Sequence, residues 1–493
     1  MSSLTGKAAR GAIWTILSSI GGRAIGVLGT LIITRYLDPE AVGDVGTAMI
    51  LVMTVNWLTT VGFGQYVIVR GRGEDAAEVV WHASTVSLVL GATGLGLVAL
   101  VAGVFGTQIG VSEITQYIPI LALAIGMRRI SAIPEKLLVQ RMQFRAIALT
   151  QTLGEAVYAG TTIFFAARGH GAWSVAYGNV AQYTLVTLVI LGAVGVKPWT
   201  TPTRWSWARV RDMFRWGAPL AVESVLHMGA RYWDNVMIRT LFGARPTGLY
   251  NLAYNLADIP AAHVGEQIGL VLLPSLANLP PERRPRAFER ATALLSLIVF
   301  PLALGLGAVA DTLVRLILSD EWQDVAPFLT VLSVLSVFRP IGWVVSSYLQ
   351  AQERNKPLMY LEILKIATLL GGILALSPFG ARAAAAAVGI AFAINAVLGV
   401  WLVLHNGPRP RVLIEGFLRP LFAAGVMAAA VLAARYVLED AGISHAGILL
   451  AIEIAVGAIV YVGVALVVCR ETARDLFNVL REVRRRRGGA APT

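Results

Sequence analysis

The chain has 493 residues, 56% of them apolar and only 14% charged, with a formal net charge of +12 at neutral pH. A soluble domain would carry about 25% charged residues, so the deficit argues for a membrane protein. A single cysteine (Cys469) excludes an intrachain disulfide framework or a Cys-based zinc cluster, and six scattered histidines without HExxH spacing argue against a metal enzyme. The absence of a Walker-type phosphate loop argues against direct use of ATP.

In chain order, the apolar runs predict fourteen membrane-spanning helices, each about 20 residues or longer. They fall at roughly residues 11–35, 42–67, 80–104, 116–139, 145–167, 172–194, 214–238, 247–276, 287–310, 325–350, 358–377, 383–404, 417–436 and 446–469. Lys7 and Arg10 before the first run imitate a secretory signal. The run is too long for one and lacks a convincing small-x-small cleavage site, so it reads as a retained first span. Alternating sides from the N-terminus places 27 of the 41 Lys and Arg residues on the N-terminal side, 7 on the other and 7 inside spans. A missed span would invert that bias, so the positive-inside rule favours fourteen spans with both termini cytoplasmic. The basic run Arg484–Arg487 reads as topogenic anchoring against anionic lipid.

No loop is long enough for a soluble domain, so function must reside in the helices. A weak internal repeat relates Gly11-Ala12 to Gly217-Ala218 and Thr34 to Thr240 at an offset of 206, and Gly43 to Gly248 at 205. The expected class is an all-α polytopic membrane protein with two pseudo-symmetric six-helix lobes around a central cavity, plus two C-terminal helices. The expected segments are a first lobe at 1–196, a cytoplasmic linker at 197–213, a second lobe at 214–405, two further helices at 406–470 and a basic cytoplasmic tail at 471–493.

With Arg35, Arg145, Arg215, Arg290, Arg419 and Arg435 at span ends counted with the adjoining loops, seven cations remain inside predicted spans: Arg23, Arg128, Arg129, Lys136, Arg231, Arg339 and Lys365. A cation near the bilayer centre costs roughly 2.5–3.5 kcal/mol even on lenient scales, so such groups imply a polar interior. The seventh span carries Glu223, His227, Arg231, Asp234 and Asn235 along one face, and the eighth carries Asn251, Asn255, Asp258 and Glu266. The fifth carries Gln151, Glu155 and Tyr158; the first carries Thr15, Ser19, Arg23, Thr30 and Thr34. Local pairing competes with a ligand role: Arg231–Asp234 and Glu362–Lys365 are i, i+3 pairs, and Lys136 adjoins Glu135. Arg128 and Arg129 are either deep or, with a shifted boundary, snorkelling to an interface. Arg23 has no acid nearby in its own span, so its partner is another helix or a ligand.

The stretches GAIWTILSSIGGRAIGVLGTLIITRYLDPEAVGDV, RRISAIPEKLLVQRMQFRAIALTQ and, most specifically, ARYWDNVMIRTLFGARPTGLYNLAYNLADIPAAHVGEQIGLVLLPSLANL resemble bacterial polysaccharide flippases; LQAQERNKP is consistent with this. These flippases are the Wzx-like branch of the multidrug/oligosaccharidyl-lipid/polysaccharide exporter superfamily. The resemblance covers essentially the whole chain. It implies a non-enzymatic flippase with a V-shaped cavity open alternately to either side of the bacterial inner membrane. Its substrate would be an undecaprenyl-diphosphate-linked oligosaccharide, moved to the outer leaflet for exopolysaccharide, capsule or O-antigen synthesis. By this analogy Arg23 and Arg231 clamp the diphosphate, with Arg339 and Arg128 as further cationic candidates and Asn235, Asn251 and Asn255 facing sugar. Asp258, Glu155 and Asp234 are candidates for H+ or Na+ coupling, with no other cofactor or metal. The implied partners are membrane lipids, a polysaccharide polymerase and chain-length or co-polymerase proteins; nucleic acid is not expected. Two alternatives stand beside this reading. A drug or cation antiporter on the same fold predicts a mainly acidic lumen, and a membrane-embedded polymerase or ligase predicts a sizeable external loop.

Overall fold

The computed structural model describes residues 25–26, 28–71, 74–105, 112–141, 143–261, 272, 276, 279–352, 354–404, 407–443 and 445–475. Among them every regular element is helical, and ten helices are long and apolar enough to cross a membrane. The chain divides into two compact units, Met1–Gly248 and Leu249–Thr493.

The first unit contains α1 (Pro39–Leu58), α2 (Phe63–Arg70), α3 (Ala76–Phe105), α4 (Ser112–Thr115), α5 (Ile118–Ile130), α6 (Ala132–Gln140), α7 (Phe144–Ala167), α8 (Trp173–Val194), α9 (Lys197–Thr200) and α10 (Trp207–Phe242). The next helix, α11 (Ala244–Ala261), begins in this unit. α1 starts where Asp38 accepts the Ala41 N–H at 2.7 Å and Pro39 supplies a first-turn residue that needs no donor. α10 packs on α1, α2 and α3. One part of the core gathers Phe63, Tyr66, Val80, Leu138, Ile190 and Met213.

Two predicted spans of this unit are broken. The second, expected as continuous over 42–67, stops at Leu58 and resumes at Phe63. Between them Val61 takes φ 39° and Gly62 φ 65°. Glycine accepts that left-handed backbone freely, whereas for β-branched Val61 it is strained. Gly217 of α10 lies against the break so closely that a Cβ there would collide with the Val61 carbonyl. The fourth span turns at Ser131, between α5 and α6. Pro134 explains this, because it has no N–H and its ring crowds the carbonyl of Ile130 four residues earlier.

The second unit continues α11 and adds α12 (Arg284–Ile317), α13 (Val325–Leu335), α14 (Arg339–Ala351), α15 (Asn355–Leu376), α16 (Ala381–Leu404), α17 (Pro410–Asp440) and α18 (Ala446–Val468). α12 packs on α17 and α18, and α15 on α16. Phe288, Leu295, Val299, Val344 and Tyr348 form part of its core. Its tenth predicted span breaks at a 3-10 turn, Ser336–Phe338, four residues ahead of Pro340. Pro134 and Pro340 are 206 residues apart, the offset of the sequence repeat.

The other repeat pair meets physically. A Cβ on Gly43 would collide with the Ala244 carbonyl, and one on Gly248 with the Pro39 carbonyl. Positions 39 and 244, like 43 and 248, lie 205 apart, so the repeat is expressed as a reciprocal close approach of α1 and α11.

Candidate functional site: charges at membrane depth

Two neighbouring arginines, Arg128 and Arg129, stand in the last turn of α5, just before the kink at Ser131. Arg129, 6% exposed, turns toward the break between α1 and α2. It donates to the carbonyls of Ser87 (3.2 Å), Asn56 (3.0 Å) and Thr59 (2.5 Å) and to the side-chain oxygens of Asn56 (2.8 Å), Thr59 (3.1 Å) and Thr60 (3.1 Å). Gly91 makes room for it, since a Cβ there would lie 2.6 Å from its Nε. Broken helices at membrane depth persist only where the freed backbone groups find partners, and Arg129 is that partner. It does not snorkel to an interface.

Arg128 points elsewhere. Its Nη2 donates to Glu135 Oε2 and its Nη1 to Ser131 Oγ at 3.0 Å. Ser131 in turn donates to the Arg128 carbonyl, and Thr187 of α8 donates to the Met127 carbonyl at 2.7 Å, fixing the turn. The other Glu135 oxygen, Oε1, lies 3.9 Å from Lys136 Nζ. Among the described ion pairs two cations therefore share one carboxylate, an excess of one positive charge. Their side chains stay partly open, at 29% for Arg128 and 35% for Lys136, against 11% for Glu135. Sequence reasoning named Arg128 as a site residue but set Lys136 and Glu135 aside as a local pair. Pro134 beside them was the signal that the span bends there.

Glu155 of α7 accepts from Gln182 of α8 at 3.0 Å, and its Oε2 faces the first span at Gly26. The Thr30 and Thr34 hydroxyls donate to the Gly26 and Leu31 carbonyls of their own helix. Asp234 and Asn235 of α10 are both buried; Asp234 Oδ1 accepts from the Asn235 N–H (2.7 Å) and Nδ2 (3.0 Å). Arg23, Glu266 and the side chains of Glu223, His227 and Arg231 lie outside the described residues.

The two ends of α10 are tied down by charge. Near its C-terminus Arg239 bridges Asp44 (2.6 Å) and Glu113 (3.3 Å). At its start Asp212 accepts from Tyr66 (2.6 Å) and Arg70 (3.1 Å), and Arg209 pairs with Asp75 and Glu78. The Glu78 carboxylate holds the Arg209 guanidinium above its ordinary range. His82 stacks on Trp205 and accepts the Ser206 N–H at 2.9 Å, which clamps the preceding linker to α3.

In the second unit Arg339 is 7% exposed and paired with Asp258, its guanidinium over the rings of Tyr254 and Phe392 at 4.9 and 4.8 Å. Lys365, 2.5 Å from Glu362, approaches the Phe392 ring at 5.6 Å. Among the described residues, two cations and two carboxylates thus pair one to one beside Phe392. Asn255 Nδ2 donates to Asn251 Oδ1 at 2.9 Å on α11. The Glu362–Lys365 pair follows the i, i+3 spacing, whereas the Arg339–Asp258 pair joins two helices and had no sequence signal.

The chain matches a polysaccharide biosynthesis protein family model over residues 32–327. It is 24% identical over 493 residues to the succinoglycan biosynthesis transport protein ExoT of Rhizobium meliloti (strain 1021), covering 97% of this chain and 96% of that one. It is 25% identical over 362 residues to the lipopolysaccharide biosynthesis protein WzxC of Escherichia coli (strain K12), 71% of each chain. The solved lipid II flippase MurJ, in an inward closed conformation, superposes with a TM-score of 0.76 at 14% identity, covering 93% of this chain and 99% of that one, which establishes a shared fold. With an all-helical polytopic architecture and a family model matching more than half its length, the chain belongs to the polysaccharide biosynthesis protein family.

Proposed function

We propose that this protein is a flippase that moves undecaprenyl-diphosphate-linked oligosaccharides from the cytoplasmic to the periplasmic leaflet of the bacterial inner membrane. The observation that carries the proposal is the excess cation at membrane depth, where Arg128 and Lys136 share the single carboxylate of Glu135. A membrane-depth cation in excess of the carboxylate it is described with is costly unless something negative visits it. A diphosphate suits the planar donor fork of Arg and the point charge of Lys. Family membership and the fold shared with a lipid II flippase support the same substrate class.

In this reading fourteen spans form lobes at 1–196 and 214–405, with both termini cytoplasmic. Arg23 and Arg231 contribute to the diphosphate site together with Arg128, while Asn251 and Asn255 face sugar. Asn235, bonded to Asp234, orients that carboxylate. Arg339 is committed to Asp258 and contributes through that pair, holding α11 against α14. Among the coupling candidates Glu155, which accepts from the neutral Gln182, is better placed for H+ or Na+ than Asp258, which is paired with Arg339. Polymerase and co-polymerase proteins would take the product on the outer face.

The test is a deletion strain in which the leaflet distribution of lipid-linked repeat units is measured. Accumulation on the cytoplasmic face is expected. Normal translocation with unpolymerised units outside would overturn the proposal in favour of a polymerase.

A further inference from the structure

Resting on the flippase reading, the geometry points to a specific device at its anion site: we propose that Glu135 is an internal placeholder for the substrate diphosphate. Its two carboxylate oxygens reach two different cations, Oε2 to Arg128 and Oε1 to Lys136 at 3.9 Å. That is the arrangement in which two oxygens of a phosphate would meet the same groups. Two other cations of the predicted spans offer no such opening. Arg129 is spent on six acceptors, and Arg339 is enclosed by Asp258, Tyr254 and Phe392.

The two cations are also held for the task. Ser131 orients the Arg128 guanidinium, and the Lys136 stem lies along Gly64, where a Cβ would come within 3.0 Å of its Cγ. The stem packs against Gly64 and the ammonium keeps an open side. Displacement of Glu135 exchanges one anion for another, so the pair is never left bare at membrane depth. The competition also weakens the hold on the diphosphate, which speeds release on the far side. Pro134 and the turn at Ser131 bring Glu135 back beneath Arg128, seven residues away in sequence.

The test uses the full-length protein in nanodiscs with farnesyl diphosphate as probe, by calorimetric titration, with thermal unfolding to verify folding. Wild type should bind, and Arg128→Gln and Lys136→Gln should each weaken binding by about tenfold, as for loss of one charge-assisted hydrogen bond. Glu135→Gln should tighten binding by a similar factor and slow translocation in proteoliposomes. Glu135→Asp keeps the charge but is too short to reach both cations, and serves if the Gln variant does not fold; it should also bind more tightly than wild type. A folded Glu135→Gln or Glu135→Asp protein that binds as wild type or more weakly overturns the placeholder. Failure of the wild-type protein to bind the probe at all would instead overturn the flippase reading on which it rests.

Discussion

Arg129 supplies the sharpest test of how this membrane fold tolerates a broken span. Replacing it with Met keeps the apolar bulk and removes every donor that crosses to the break. Not all six acceptors suffer equally. The Asn56 carbonyl still receives the Thr59 and Thr60 hydroxyls at 2.9 and 2.8 Å, and those hydroxyls therefore keep their own bonds. The Thr59 carbonyl loses the donor that Arg129 provided at 2.5 Å. One orphaned buried carbonyl costs roughly 1–3 kcal/mol, and the lost charge-assisted bonds add to this, partly offset by no longer burying a guanidinium. The expected net destabilisation is about 2–4 kcal/mol. Arg129→Lys should be worse than Arg129→Met, because it keeps a buried charge with fewer donors and no planar fork to span the break. Unfolding of the purified variants in a reversible detergent titration gives the order: wild type, then Met, then Lys. A Met variant within about 0.5 kcal/mol of wild type, or a Lys variant more stable than Met, would refute the reasoning.

Three further expectations follow from the packing. Gly43→Val and Gly248→Val each push a side chain into a backbone carbonyl and should cost about 1–3 kcal/mol with loss of export, whereas Gly46→Val, whose Cβ would meet nothing within 4 Å, should be neutral; folded yield and an export assay compare them. Arg339→Ala and Asp258→Ala should each cost about 3–5 kcal/mol by removing one partner of a buried ion pair, and the double variant less than their sum; additive effects in a double-mutant cycle would show that the two do not act as a pair. Asp212→Asn removes the partner of Tyr66 and Arg70 at a half-exposed site, so its stability cost should stay below about 1 kcal/mol. It should nevertheless loosen the linker that precedes it and speed tryptic cleavage at Arg204, read by limited proteolysis.

Much of this protein is written in one dimension. Apolar runs about 20 residues long can be satisfied in a bilayer only as helices, so residue order suffices for the all-helical membrane class. Pro134 and Pro340 mark the kinks of the fourth and tenth spans through covalent geometry, and Gly43 and Gly248 mark a close approach because nothing larger fits. The Glu362–Lys365 pair was legible for the same reason, since i, i+3 neighbours meet on any helix. The fate of the other cations was not. Arg128 and Arg129 are adjacent in the chain, yet one pins a broken helix from within and the other shares a carboxylate with Lys136. Residue order offers Arg339 as a ligand-facing candidate, and the folded chain sets Asp258, 81 residues away, against it. Which partner a buried charge meets depends on the rotation of its helix, the position of breaks and what neighbouring helices present. Those are set by packing between distant segments, so residue order alone identifies the cations while the folded chain assigns their partners.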